Sequence, residues 1–574
     1  MSYLLPALAL AVVAALAVAA RFNQMKKLRG LEARLRAQWG RPKARERDLP
    51  LVAGYHHALA RGSGAPPALD DRTWRDVDLD AVFVFLDRTE SIVGRQLLYH
   101  RLRSTNESPA GLAAFDDLVE LLRRDEPTRI AAQRALASLN RSSCYWLWSI
   151  ALEPIEPFPR WAVIYPLFAV LMAVSLLLIP LVRGFALVPV LGLVVGGALR
   201  AKFGWRLVPL ADSFRDMVTL LVAAERLGAL EPLPPQVRQA LTTHLPALAR
   251  LRRSAGWLGR DQASSADVFG FLIEYINLLF CADANTAILS VRELRRHQED
   301  VHQVFQAVGE LDAALSVASV RDGGGAWTRP VFAQDGQPAV FDDLTHPLLD
   351  NAVPNSLTLG PPDGLLVTGA NMTGKSTFLR TVGVNVVLAQ TLNTAFASSY
   401  RAPWLSVASC ITPADDLQAG KSYYQVEVET LVAMLAATRS AGTRLYLFDE
   451  LFRGTNTLDR IGAATAVLSW LVRTNDSDGA SVRRRCLVIA ATHDLELVSL
   501  LTPGYAVVHF ADRLTDVGLH FDYLLRPGPT TTRNAIALLG VLGAPPEVVG
   551  EALERTERLR AASGGSLGVK RVVD

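Results

Sequence analysis

The chain has 574 residues, half of them apolar and 20% charged, with a formal charge of +3. High apolar content with little net charge excludes a disordered chain. Four cysteines scattered singly, with no C-x-x-C pair, exclude a disulfide scaffold and a zinc or redox motif, and read as reduced, buried thiols.

The apolar surplus sits in three segments. Residues 4–20 are 17 residues without a charge, about 25 Å as a helix, and read as a membrane anchor within 1–20. A cleaved signal peptide is the alternative, because Ala-Val-Ala-Ala precedes Arg21; no basic residue precedes the run. Residues 21–48 then carry ten cations (Arg21, Lys26, Lys27, Arg29, Arg34, Arg36, Arg41, Lys43, Arg45, Arg47) against Glu32, Glu46 and Asp48. This basic juxtamembrane stretch places its side of the membrane in the cytoplasm. Its composition also suits anionic lipid or DNA phosphate, with the topology signal as the main reading.

Residues 49–160 read as the first part of a helical core. Leu79, Val82, Phe83, Leu86, Ile92, Leu97, Leu98 and Leu102 recur mostly at steps of three and four. Residues 161–182 are 22 without a charge, enough to cross a bilayer, and 184–199 are 16 more, separated by Arg183. Together they predict a tight membrane hairpin over 161–204 that returns to the cytoplasm at Arg200, Lys202 and Arg206. Gly192 and Gly196 form a G-x-x-x-G that lets helix backbones approach, although small residues in an apolar helix are the plainer reading. Residues 205–330 return to helical periodicity and close on Asp322-Gly-Gly-Gly.

From 331 to 574 short strands alternate with helices. Gly364-Leu-Leu-Val-Thr reads as a buried strand running into Gly369-Ala370-Asn371-Met372-Thr373-Gly374-Lys375-Ser376-Thr377, a complete G-x-x-x-x-G-K-S/T phosphate loop. Glycines let backbone N–H groups turn onto phosphate, and the following helix offers its positive end. Lys375 is placed for the β- and γ-phosphates of a nucleotide and Ser376 for Mg²⁺. A second strand delivers Asp449 and Glu450, the first to hold Mg²⁺ and the second to activate or orient water. Adjacent acids are often only a solvated pair; four apolar residues leading to them favour the catalytic reading. A third strand ends in Ala491-Thr-His493, and His493 either senses the γ-phosphate or is a satisfied structural histidine.

These blocks resemble one family. Thr368-Gly-Ala-Asn-Met-Thr-Gly-Lys-Ser-Thr is similar to the T-G-P-N-M-G-G-K-S-T of MutS-type mismatch-repair ATPases. Asp449-Glu-Leu-Phe-Arg-Gly-Thr-Asn-Thr-Leu-Asp459 resembles D-E-x-x-R-G-T-S-T-x-D, and Ala491-Thr-His resembles A-T-H. Asp415-Asp-Leu-Gln-Ala-Gly-Lys-Ser422-Tyr-Tyr-Gln-Val-Glu427 and the closing 538–549 block follow in kind. Upstream, Leu86-Asp-Arg-Thr89-Glu-Ser-Ile-Val-Gly94, Gly309-Glu-Leu-Asp312 and His346-Pro347 are similar to the family's helical core, with the hairpin in or near the place of its DNA-gripping clamp. Two departures stand out. Phe-x-Glu, the mispair wedge, occurs only as Phe448-Asp-Glu450, inside the magnesium strand, and Ala352 stands where an aromatic precedes V-P-N beside the adenine.

The fold expected is therefore an α/β P-loop NTPase domain of MutS type, preceded by an all-α core or lever domain with transmembrane helices. The resemblance implies ATP and Mg²⁺ as ligands, a homodimer through the ATPase domains with Ser422 approaching the partner's γ-phosphate, and double-stranded DNA as substrate without mispair reading. The alternative is a mechanical ATPase acting on a membrane or protein partner; a transporter is disfavoured, since no L-S-G-G-Q occurs. Lipid bilayer is the further partner, and the expected location is a bacterial-type inner membrane with the ATPase domain cytoplasmic.

Overall fold

The structure, a computed structural model, describes residues 21–563 except 24, 63–67, 105–108, 182–186, 204–207, 259–275, 277, 371–372, 412–422, 439–441, 474–483, 516–517, 531–535, 537–538 and 540–542. The apolar run 4–20, Asn371, Met372 and Ser422 lie outside the described residues. The chain divides into two compact units: Met1–Pro66, Val84–Arg103 and Ala113–Gly324 in one, Pro67–Phe83, Ser104–Leu112 and Gly325–Asp574 in the other.

The first unit is helical. Its principal helices are α1 (Leu49–Ala60), α2 (Ile92–Arg103), α3 (Ile164–Leu178), α4 (Leu187–Phe203), α5 (Ala249–Leu258), α6 (Ala282–Arg296) and α7 (Gln298–Arg321). Close packing of α2 on α7 depends on two glycines. A Cβ on Gly94 would sit 2.2 Å from Asp312 Oδ2, and one on Gly309 would sit 2.4 Å from Leu97 Cγ. Fully buried Asp312 reaches from α7 to the start of α2, accepting hydrogen bonds from the Glu90 and Ser91 amides and from Ser91 Oγ at 2.9, 2.7 and 2.5 Å. A helix start buried inside the protein needs such acceptors for its free N–H groups. Burial pushes the Asp312 carboxyl up to about 6. The two sequence blocks around Gly94 and Asp312 thus meet in one contact.

Three cations of the basic stretch turn inward. Arg45 and Arg47 bind the fully buried Asp87 at 2.7 and 2.8 Å, Arg95 approaches it at 3.2 Å, and Lys43 pairs with Glu90 at 2.8 Å. Residues 25–38 form a helix along which Arg29, Arg34 and Arg36 remain exposed.

Beside this knot lies a histidine cluster. Tyr55 Oη meets His302 Nε2 at 3.0 Å, and His56 Nδ1 meets His100 Nδ1 at 3.1 Å. Burial, with His56, His302 and Arg101 nearby, pushes His100 down to about 4. The unfolded chain, near 6.5, therefore binds the proton first. Stability from this group is complete above about pH 6.5 and is lost as pH falls toward 4, by about 3 kcal/mol. Urea unfolding of the protein and of His100→Asn across that window checks this: the variant's stability should fall less steeply, and equal slopes refute it.

The apolar hairpin forms as two helices. Gly192 faces Met172 Sδ, 2.3 Å from where a Cβ would stand, and Gly196 faces the Leu278 carbonyl at 2.0 Å, so the G-x-x-x-G is a packing device. Arg160–Leu178 has 19 residues, enough by length and composition to cross a membrane, and Leu187–Leu199 is a shorter apolar helix.

The second unit is α/β. A four-stranded sheet, order β1-β5-β2-β3, comprises β1 (Val331–Phe332), β2 (Ala339–Leu344), β3 (Asn355–Leu359) and β5 (Ser399–Ala402). A six-stranded sheet, order β10-β9-β4-β8-β7-β6, comprises β4 (Gly364–Thr368), β6 (Leu405–Cys410), β7 (Gly442–Asp449), β8 (Arg484–Thr492), β9 (Tyr505–Thr515) and β10 (Gly518–Pro527). All its pairs are parallel except β9 with β10. Helix α8 (Lys375–Leu392) follows β4.

Residues 67–83, placed by the sequence reading in the helical core, belong to this unit. In the short helix Asp71–Asp76, Asp76 accepts hydrogen bonds from Ser409 Oγ at 2.8 Å and the Ile411 amide at 2.9 Å, and Thr73 Oγ1 accepts from the Ser409 amide at 3.1 Å. This strut fastens the end of β6, whose amides would otherwise be buried without acceptors.

Candidate functional site

Strand order creates the site. β4 lies between β9 and β8, and β8 pairs in turn with β7. The register sets Thr368 opposite Thr492 and Asp449 opposite Ala491, so three adjacent strands deliver the phosphate loop, the Asp449-Glu450 pair and His493 at one edge. Carboxyl ends of parallel strands are where open α/β sheets bind ligands.

The loop's backbone explains its glycines. Gly374 takes φ +106° and Gly369 φ +150°; a Cβ on Gly369 would sit 2.9 Å from Thr373 Oγ1 and 3.0 Å from the Phe510 carbonyl. Thr373 Oγ1 donates to the Ala370 carbonyl at 2.8 Å. Lys375 Nζ donates to the Gly369 and Ala370 carbonyls, both at 2.8 Å, so its ammonium lies under the loop. Burial lowers its pKa, while Glu450 and Asp449 oppose that shift.

Ser376 Oγ donates to Asp449 Oδ2. Burial raises the Asp449 carboxyl above its usual range, and a divalent cation held between these two hard oxygens would offset that desolvation. The donor set fits Mg²⁺.

Glu450 is 8% exposed and held in left-handed backbone at φ +54°. Its amide donates to the Ala491 carbonyl at 2.9 Å, pinning it to β8. His493 Nδ1 lies 3.1 Å from one carboxylate oxygen and Arg453 pairs with the other. Burial alone would raise its pKa; His493 and Arg453 outweigh that and hold the carboxyl down to about 2. The Glu450 contact in turn raises His493.

Several site residues carry no signal of their own in the sequence. Arg453 lines a 450 Å³ cavity with Gly374, Lys375, Ser376, Thr377, Glu450 and Tyr523; its only cue was its place in the D-E-x-x-R block. Glu427 accepts from the Phe452 amide at 2.7 Å and fixes the turn after Glu450. Arg460 forks onto Asp494 at 2.8 and 2.9 Å, steadying the turn that carries His493. A second cavity, about 440 Å³, is lined by His346, Ala352, Asn355, Thr377, Phe510 and Tyr523 among others. At Ala352, where the family has an aromatic, the wall is small. Tyr523 stands across from it, 3.2 Å from a Cβ built on Gly374. A register shift in β10 between Phe521 and Leu525 turns Tyr523 to φ +55°, and Asn355 holds that bulge, bonding the Tyr523 carbonyl at 3.0 Å and the Leu525 amide at 2.7 Å.

A phosphate loop after β4, with an acidic pair ending β7 one strand beyond its neighbour β8, defines a P-loop ATPase-type α/β domain. Residues 365–560 match the family model of MutS domain V. The chain is 34% identical over 288 residues to the DNA mismatch repair protein MutS of Thermus thermophilus, covering 49% of this chain and 33% of that protein. It is 31% identical over 294 residues to the DNA mismatch repair protein MutS 2 of Halobacterium salinarum, covering 50% and 32%. The likeness to MutS proteins is carried by the C-terminal half of the chain. The chain spans about a third of the length of the curated relatives it matches.

Proposed function

We propose that this protein is a membrane-associated MutS-family ATPase, which binds and hydrolyses Mg²⁺-ATP and uses the cycle to switch its helical region. The observation that carries the ATPase reading is the strand register that brings the loop, Asp449, Glu450 and His493 to one edge. Gly369, Ala370, Asn371, Met372, Thr373, Gly374, Lys375 and Thr377 hold phosphate, Ser376 and Asp449 hold the cation, Glu450 orients and deprotonates water, and His493 responds to the γ-phosphate. Ser422 completes the partner's site in a homodimer through the ATPase domains. Duplex DNA is the proposed substrate, supported by the names of the relatives, and no mispair wedge is assigned. ATPase assays of detergent-purified protein with no DNA, homoduplex and heteroduplex test this. Equal rates and no gel shift would remove DNA and leave a membrane or protein partner; a heteroduplex preference would overturn the absence of mispair reading.

Tyr523 is proposed as the base-stacking platform in place of the aromatic absent at Ala352. Tyr523→Ala should weaken ATP binding about tenfold, within the ~1–3 kcal/mol of aromatic–base stacking, while Tyr523→Phe keeps it. Calorimetric titration with the triphosphate checks this; equal affinities for all three proteins would rule the role out.

Membrane association rests on α3 and α4. Leu167, Val170, Leu171, Leu177, Leu187, Val190, Leu191 and Val194 are all more than half exposed, which no water-facing helix pair tolerates at such density. Trp161, exposed at the start of the hairpin with its ring 6.4 Å from that of buried Tyr165, stands where an interfacial aromatic belongs. The cytoplasmic side is proposed for the ATPase domain, on the basic residues of 21–48 that follow the first apolar run. Protein that leaves the membrane pellet in alkaline carbonate would refute the anchoring.

A further inference from the structure

We infer that the exposed arginines at the end of α6 bind anionic phospholipid headgroups beside the apolar hairpin; the inference rests on the membrane reading above. Arg292, Arg295 and Arg296 are exposed on α6, and Arg250 and Arg253 are exposed on α5. One contact ties these helices side by side: Ser290 Oγ donates to Ser254 Oγ at 3.0 Å. Arg292, Arg295 and Arg296 thus form a basic cluster at the end of α6, with Arg250 and Arg253 on the neighbouring α5. Among the described residues its nearby acids are Glu293, paired with Arg296 at 3.4 Å, Glu225, paired with Arg252, Asp300, occupied by His244 and His297, and the exposed Glu299.

The hairpin locates the cluster. The Leu278 carbonyl is level with Gly196 and Phe168, while Asn285 Nδ2 donates to the Tyr165 carbonyl at 3.3 Å, nearer the start of α3. The chain from 278 onward therefore leaves the hairpin at its Trp161–Tyr165 end. Ala284 and Ile288 pack with Ala162 and Tyr165 as it goes. At 1.5 Å per residue, Arg292 to Arg296 lie about 10 to 16 Å along α6 beyond Asn285. Cα–Cβ bonds tilt toward a helix's N-terminus, so these side chains lean back toward the hairpin. Their stems then return the guanidinium groups toward a headgroup layer roughly 5–7 Å deep outside the aromatic level. A duplex on this cluster would compete with the headgroups for the same space.

The test uses full-length protein in phosphatidylcholine vesicles carrying a trace of spin-labelled phosphatidylglycerol or spin-labelled phosphatidylcholine. The fraction of immobilised label reads the selectivity. Each arginine near an anionic surface is worth roughly a five-fold preference, so the protein should select phosphatidylglycerol about tenfold or more. That preference should fall at least several-fold in R292Q/R295Q/R296Q, persist in the corresponding triple lysine variant, and weaken at about 0.5 M salt. Equal immobilisation of both labels, or a preference unchanged in the glutamine variant, overturns the inference. If that variant does not reconstitute, a preference that survives the salt overturns it equally. A labelled duplex whose binding is lost in the glutamine variant while lipid selectivity is kept would assign the cluster to nucleic acid instead. Release of the protein by alkaline carbonate defeats the membrane reading itself, whereas a protein that stays bound without lipid preference defeats only this inference.

Discussion

Glu450→Gln should leave nucleotide binding intact and cut turnover by roughly 10²- to 10⁴-fold, the range that removing a positioned general base produces. The geometry argues for loss of chemistry rather than of fold. The Glu450 amide is fixed to Ala491 and its left-handed backbone is retained by the turn that Glu427 braces through Phe452, and neither contact needs the carboxylate charge. Glutamine keeps the shape and the hydrogen bond from Arg453, but cannot take a proton from water. Because the carboxyl is held down to about 2, the wild-type base is ionised throughout the physiological range, and an acid limb of the rate profile near pH 4–5 should not come from this group. Binding of ATP by calorimetry beside steady-state phosphate release separates the two effects; a glutamine variant that still turns over at the wild-type rate refutes the assignment. Arg453→Ala bears on the same contact, since it frees one carboxylate oxygen while leaving His493 on the other.

Legibility in the sequence followed the distance over which each feature is encoded. The phosphate loop and the Asp449-Glu450 pair are contiguous strings at strand ends, so a strand–loop–helix pattern was enough to place them. Tyr523 is different: its orientation comes from a bulge in β10 fastened by Asn355, 168 residues earlier, and periodicity does not report a bulge. The helix Asp71–Asp76 has the same difficulty. With Trp74 its one apolar residue it offers no spacing to read, and hydrogen bonds from residues more than 300 positions away, such as those from Ser409 and Ile411 to Asp76, assign it to the phosphate-loop unit. Charge counting shows a further limit. Ten cations over 21–48 read alike on paper, yet Lys43, Arg45 and Arg47 are turned inward by Asp87 and Glu90 while the helix before them keeps its arginines in solvent.

That inward turn carries the largest stability effect expected. Asp87 is fully buried and receives Arg45 and Arg47, with Arg95 at 3.2 Å and the Thr89 hydroxyl at 2.6 Å. Burial pushes its carboxyl up, but Arg45, Arg95 and the Thr89 hydroxyl outweigh this and hold it down to about 2. With the folded value below the unfolded one, its stabilisation is present above about pH 4 and is lost as pH falls through 2. Asp87→Asn keeps the volume and removes the charge, leaving Arg47 and Arg95, both less than 10% exposed, without a counterion. Breaking a buried pair by deleting one partner costs about 3–5 kcal/mol, because the remaining charge stays desolvated. Chemical unfolding followed by helical circular dichroism should show a loss of that size, with a partial return when Arg47→Met is added to Asp87→Asn. A single variant within 1 kcal/mol of wild type would mean that solvent already reaches these arginines and that the basic stretch is held by backbone contacts alone.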